Sequence, residues 1–400
     1  MVSIQQVILM VLNYIVNQPY RFVSHPDSGL SLERLLEKYG YPLETHEITT
    51  EDGYVLTAHR IPRGQGSNHT NQYPIIITAG PCTVGEFLLL PGHPEGIAWY
   101  LTDRGFDVWL VNNRGTAHSR KHKTLDPDSD AEYWNFSWHE MGVYDLPAVV
   151  DYILNVTTKN KLFYLGYAQG ATIYFVLNSE RPEYNEKIAM GVVVATPAML
   201  GRNRLLIFRV LSKHRTLIKN IAKALGVYEF LPDNLNAALR RTMSMLCSEM
   251  TVFAEICSAL LHFPEESFRV DPMVLQLIFE YVPARCSMKQ FYHYQQLIDS
   301  DVFGPYDYGA KQNLRLYKRR NAPEYNIGNV TAPTAFVYST SDLITHPEGI
   351  ERLVARTKNK EVHRITDEFS HVDFVAAKEV RRYVNEPVYR MFEKHMPATS

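Results

Sequence analysis

The chain has 400 residues, 46% apolar and 21% charged, with 22 Pro and 21 Gly, which excludes a disordered, collagen-like or low-complexity protein. Lys and Arg number 41 against 43 Asp and Glu, a formal charge of −2, so the basic excess that neutralises phosphates is absent and no nucleic-acid partner is expected. At this length a single core has usually stopped growing, which predicts one large α/β domain with a substantial insertion, or two domains.

Residues 7–16 form an apolar run broken by Asn13, with no basic residue ahead and no small-residue cleavage site behind. Read alone, this is a poor secretory signal. No apolar run reaches the ~18 residues needed to span a bilayer, so the chain is expected to be soluble or at most peripheral. Sequons for N-glycosylation at Asn68, Asn135, Asn155 and Asn329, none with Pro in the middle, add modest weight to a secretory reading. The four cysteines, Cys82, Cys247, Cys257 and Cys286, lack Cys-x-x-Cys spacing, so neither a metal nor a cofactor is indicated. By spacing alone, a short loop closed by Cys247 and Cys257 and a pair of buried thiols there are about equally supported.

Short β-branched apolar runs at 74–78, 106–111, 162–165, 191–195, 335–339 and 362–365 alternate with helical patterns such as 145–156. Alternation of this kind predicts an α/β fold, a mostly parallel sheet covered by helices. Between about 199 and 308 the alternation stops and helical periodicity takes over, which reads as an inserted helical cap. Its first segment interleaves Arg202, Arg204, Arg209, Lys213, Arg215, Lys219 and Lys223 with Leu205, Leu206, Ile207, Leu211, Leu217, Ile218 and Ile221. A basic amphipathic helix can lie on an anionic lipid surface, although a solvated charged face over an ordinary core is about twice as common.

The most informative stretch is the run 162–174, where a buried strand leads into Gly166-Tyr-Ala-Gln-Gly170 and then a helix. Strand, Gly-x-Ser-x-Gly and helix make the nucleophile elbow of an α/β-hydrolase. Here the central residue is Ala168, which has no hydroxyl. Downstream, one strand ends in Ser339-Thr-Ser-Asp342 and the next leads to Phe369-Ser-His371, the order nucleophile, acid, base. Asp342 and His371 therefore stand where a charge-relay pair belongs.

At these residues the sequence resembles the acid lipase family of α/β-hydrolases, which includes gastric and lysosomal acid lipases and many insect lipases. The resemblance spans roughly residues 35–395. It is carried by His46-Glu-Ile-Thr-Thr-Glu-Asp-Gly-Tyr-Val-Leu56, by Phe106-Asp-Val-Trp-Leu-Val-Asn-Asn-Arg-Gly115 with Ser119-Arg-Lys-His122, and by Phe136-Ser-Trp-His-Glu-Met-Gly-Val-Tyr-Asp-Leu-Pro147. It implies a core at 35–198 and 309–395, and a lid at 199–308 over an apolar acyl pocket. The ligands it implies are neutral lipids or acyl groups, with contact to lipid surfaces, in the secretory pathway or lysosome. In that setting residues 1–20 are expected to act as a signal peptide. A Cys247–Cys257 bridge becomes the expected disulfide, leaving Cys82 and Cys286 as free thiols.

The chain departs from the family at its reacting centre. The family elbow reads Gly-His-Ser-x-Gly, so both the serine and the preceding histidine are replaced here, by Ala168 and Tyr167. The family's early His-Gly-Leu aligns with Ala79-Gly80-Pro81, which puts Pro81 at one oxyanion donor position and leaves Gln169 at the other. Proline has no N–H to give. The cap motif Pro-Ala-Gly-Thr-Ser reads Pro283-Ala-Arg-Cys-Ser287. Loss of a triad nucleophile costs on the order of 10⁶ in turnover and loss of one oxyanion donor ~10²–10³, so serine-type catalysis is not expected. The expectation is an inactive acid lipase-like protein that binds a lipid or a partner. Its alternatives are an ester hydrolase using Cys82 or a water activated by His371, and a pure interaction or storage protein whose pocket is filled by bulky side chains above Ala168. Tyr167 and Gln169 are expected to point away from His371.

Overall fold

Aliphatic and aromatic side chains in the apolar runs form strands because a sheet covered on both faces buries every one of them. A computed structural model describes residues 25–65, 73–201, 206–231, 242 and 269–396. In chain order its strands are β1 (Glu44–Thr49), β2 (Tyr54–Ile61), β3 (Tyr73–Thr78), β4 (Phe106–Val111), β5 (Lys121–His122), β6 (Leu162–Tyr167), β7 (Ile188–Val194), β8 (Glu229–Phe230), β9 (Cys286–Ser287), β10 (Thr334–Ser339) and β11 (Lys360–Ile365). The main sheet runs β1-β2-β4-β3-β6-β7-β10-β11, with β5 paired to β2; β8 and β9 form a separate antiparallel pair. Strands β4, β3, β6, β7, β10 and β11 are parallel to their neighbours, whereas β1, β2 and β4 pair antiparallel. This is the α/β-hydrolase architecture.

Five of the six predicted runs lie wholly in strands, the run 191–195 passes the end of β7 at Val194 by one residue, and the helix expected at 145–156 is Leu146–Thr157. The strand run 162–165 continues to Tyr167, so β6 carries the chain directly into the elbow. Strands β1 and β2 were not anticipated. At the sheet edge β1 is mostly exposed, and its polar composition hides the pattern.

β7 and β10 pair in register from Gly191 with Thr334 to Val194 with Val337, although some 140 residues separate them. The described helices in that interval are Leu206–Lys213, Arg215–Ala224, Pro272–Tyr281, Met288–Ser300 and Ala310–Leu316. A buried histidine fastens them to the sheet domain: the His293 ring stacks on Trp138 with centroids 3.7 Å apart, and its Nε2 donates to the Gly304 carbonyl at 3.0 Å. Burial pushes the His293 pKa down to about 3, so this anchor is a neutral imidazole.

Two expectations need correction. Cys82 and Cys286 are not free thiols; they are joined in a disulfide with Cα atoms 5.0 Å apart. The chain folds the loop after β3 against β9, and separation in sequence gave no hint of that meeting. The expected partners Cys247 and Cys257, and residues 1–20, lie outside the described residues. The basic segment also differs: Arg215 pairs with Asp299 and Lys219 donates to the Tyr306 hydroxyl, while Leu217, Ile221 and Leu225 are exposed. Its apolar side chains meet solvent along with its charged ones, since Arg209, Lys213, Lys219 and Lys223 are exposed too.

The Asn112-Asn-Arg-Gly115 block is structural. Arg114 is buried, donates through Nε to Asp145 at 2.8 Å and through both terminal nitrogens to Asp52, and lies 3.9 Å from the Tyr54 ring centroid. Arg114→Met leaves the Asp145 carboxyl buried without its cation, which is expected to cost about 3–5 kcal/mol. A lowered urea midpoint measures this; an unchanged midpoint would show that the cluster contributes nothing.

Candidate active site

The elbow is built by close approach of strand and helix. A Cβ on Gly166 would stand 2.5 Å from the Gly170 carbonyl carbon, and one on Gly170 would stand 2.4 Å from the Thr78 carbonyl oxygen. Neither position has room for a side chain. Beneath the turn, the Tyr164 hydroxyl donates to the Gly170 carbonyl at 2.6 Å and lies 2.7 Å from Thr78 Oγ1, joining β3, β6 and the helix. Held this way, Ala168 adopts φ 50° and ψ −116°, a conformation costing ~1–3 kcal/mol for a residue with a Cβ. The strained turn persists without the oxygen it would present.

Asp342 follows β10 and His371 follows β11, so both arrive at the carboxyl ends of parallel strands, beside the elbow. His371 Nδ1 donates to Asp342 Oδ2 at 2.8 Å. Asp342 is fully buried, and its Oδ1 accepts from the Ile344 and Thr345 backbone N–H groups at 2.9 and 3.1 Å. Burial raises its pKa, but the His371 charge and the hydrogen bonds from His371 and Thr345 outweigh this and hold the carboxyl below its ordinary value.

A cavity of about 350 Å³ lies over Ala168, with almost wholly apolar walls. Gly80, Pro81, Tyr167, Ala168 and His371 line it from the sheet side; Phe208, Ile278, Phe291, Tyr294 and Ile298 line it from the inserted helices. A filled scaffold would have no such space. Gly80 approaches the elbow so closely that a Cβ there would sit 3.5 Å from the Ala168 Cβ. Pro81, the next residue, therefore stands beside Ala168 and offers no N–H. Gln169 opens the helix Gln169–Glu180, where backbone N–H groups have no intrahelical acceptor.

Side-chain directions at the elbow differ from expectation for one of its two flanks. Gln169 turns away into the protein, donating to Met141 Sδ at 3.4 Å. Tyr167 does not turn away: its ring lies 5.1 Å from the His371 ring, and its hydroxyl donates to the His371 carbonyl at 2.9 Å. As the last residue of β6 it projects past the sheet edge into the cavity. Cys82, the thiol candidate, is consumed in the disulfide, so the route through a free Cys82 has no nucleophile.

A model of the alpha/beta hydrolase fold matches residues 87–374, and a partial alpha/beta-hydrolase lipase region matches 32–79. Lipase 1 of Drosophila melanogaster is 36% identical over 92% of this chain and 81% of its own length. The chain belongs to the alpha/beta-hydrolase lipase family. Gastric triacylglycerol lipase of Bos taurus is 30% identical, over 93% of this lipase-family chain and 94% of its own length. Among solved structures, a putative lipase from Acinetobacter baumannii superposes with a TM-score of 0.51 at 13% identity, covering 92% of this chain and 98% of the other, a likeness of fold. Among the described residues no helix is long and apolar enough to cross a membrane.

Of the expected glycosylation residues, Asn135 and Asn155 are exposed, and Asn135 donates to Glu132 Oε1 at 2.9 Å. Asn329 is half-buried and its side-chain amide donates to the Ser179 carbonyl at 3.0 Å; Asn68 lies outside the described residues. The cavity's helical wall was missed in the sequence. Phe291, Tyr294, Gln295 and Ile298 line it from one face of the helix Met288–Ser300, a spacing of three, four and seven that could have marked the face but not what it meets.

Proposed function

We propose that this chain is a lipase-family protein without ester hydrolase activity, whose cavity binds a lipid or acyl ligand in the secretory or lysosomal lumen. One observation carries the reading: Ala168 occupies the elbow in the nucleophile's backbone conformation and brings no oxygen. Pro81 supports it by withholding an oxyanion N–H beside that residue. An apolar cavity of about 350 Å³ supports retention of a lipid site, since a chain freed from ligand binding gains by filling such space. The Cys82–Cys286 disulfide supports an oxidising compartment. We take 35–198 and 309–395 as the hydrolase core and 199–308 as its cap, whose exposed Leu217, Ile221 and Leu225 suit contact with a lipid surface.

Purified protein incubated with fluorogenic acyl esters is expected to release no more product than its His371→Ala variant. Hydrolysis that His371→Ala abolishes would overturn the reading. Such a result would favour a second reading, in which His371, held at 2.8 Å by Asp342, activates water as a general base.

A further inference from the structure

The Asp342–His371 pair has no serine to serve, yet its geometry is complete. His371 Nδ1 is engaged by Asp342 at 2.8 Å, which leaves Nε2 as the ring's outward nitrogen, and among the described residues nothing accepts from it. The imidazole lines the cavity along with Ala168, whose methyl leaves empty the place a serine oxygen would fill. The Gln169 backbone N–H stands at the start of a 12-residue helix beside the same spot. A ring nitrogen thus borders an otherwise apolar chamber: with Nδ1–H given to the buried Asp342 carboxylate, Nε2 presents a lone pair that can take the proton of an acidic ligand.

We propose that this site receives the carboxylate of a free long-chain fatty acid, with His371 as its head-group receptor and the tail lying along the apolar cap wall. The inference rests on the reading of the chain as a non-hydrolysing lipid binder. A carboxylic acid can pass its proton to Nε2, and the bond between the carboxylate and imidazolium so formed is charge-assisted, roughly twice as strong as one to a neutral ester carbonyl. An ester makes no use of the pair. A sugar or peptide would leave its polar groups unpaired against Phe291, Ile298 and Ile278. In a serine hydrolase the nucleophile's oxygen takes the space and the Nε2 contact that the acid needs here. Losing the serine therefore opens the place that a carboxylate fills.

Calorimetric titration of the full chain with oleic acid, methyl oleate and oleyl alcohol, each kept monomeric, tests this. Oleic acid is expected to bind about tenfold or more tightly than the other two, the preference that one hydrogen bond between charged groups supplies. His371→Leu is expected to erase the preference. In the unaltered protein, the carboxyl resonance of isotope-labelled oleate is expected to stay that of an ionised acid at pH values where free oleic acid is protonated. Equal binding of all three ligands, or an unshifted carboxyl titration, would overturn the head-group assignment and leave lipid binding standing. Failure of all three to bind would overturn both, and turnover of methyl oleate would overturn the non-hydrolysing reading itself.

Discussion

Replacing Ala168 with serine is expected to leave ester turnover far below that of the double variant Ala168→Ser/Pro81→Leu, by ~10²–10³ in kcat/KM, the value of one oxyanion donor. The backbone at 168 already has φ 50° and ψ −116°, so a new Oγ would enter the cavity at the elbow's apex without refolding the turn. His371 is already oriented by Asp342 at 2.8 Å, so a base is in place. The missing element is then the N–H at position 81, next to Gly80 and within reach of the elbow. A lone Gln169 N–H must bear the charge of a tetrahedral intermediate that the family divides between two donors. The loop should tolerate the second substitution, because Thr83 Oγ1 donates to the Gly80 carbonyl at 2.7 Å and Cys82 is tied to Cys286, neither contact involving the Pro81 ring. Initial rates on a short-chain fluorogenic ester measure the difference. If Ala168→Ser alone matched the double variant, Pro81 would not occupy the donor position.

What the sequence made legible were features whose cause is local. Gly166 and Gly170 flank the elbow because β6 and its helix touch there, and that need shows as spacing within five residues. Asp342 and His371 could be placed because each closely follows an apolar strand, and parallel strands deliver such residues to one edge of a sheet. Features that depend on a distant segment were not legible. The partner of Cys82 lies 204 residues away, and the nearer pair Cys247 and Cys257 drew the expectation instead. Tyr167 was misplaced for another reason. Strand alternation assigns a residue to a face, but at the last position of β6 there is no further strand to hide behind, and the ring reaches His371. The helical wall of the cavity showed its amphipathic spacing but not its partner, since a helix face says that something covers it and not what.

The Cys82–Cys286 bridge is expected to be the strongest single tie between the loop at Pro81 and the cap. Besides the disulfide, that junction holds a backbone hydrogen bond from Ala284 N–H to the Cys82 carbonyl at 2.5 Å. Closing a loop of 204 residues restricts the unfolded chain by about 5 kcal/mol on an entropic account, and measured losses on removing native bridges run roughly 2–5 kcal/mol. Cys82→Ser/Cys286→Ser is therefore expected to destabilise the protein by about 2–5 kcal/mol, read from its urea unfolding curve. Reduction of the unaltered protein should produce the same loss, and the double variant should show no response to reductant beyond that of any other disulfide in the chain. The consequence reaches the cavity. Cys286 lies in β9, directly before the helix Met288–Ser300 that supplies Phe291, Tyr294 and Ile298, so the bridge sets the distance between that wall and Pro81. A lid that must open for each substrate gains nothing from such a covalent tie, whereas a chamber that retains one ligand does. The double variant should accordingly release bound oleate faster than the unaltered protein while binding it at the same site. An unchanged release rate together with an unchanged unfolding curve would mean that the bridge closes a loop already held by its surroundings.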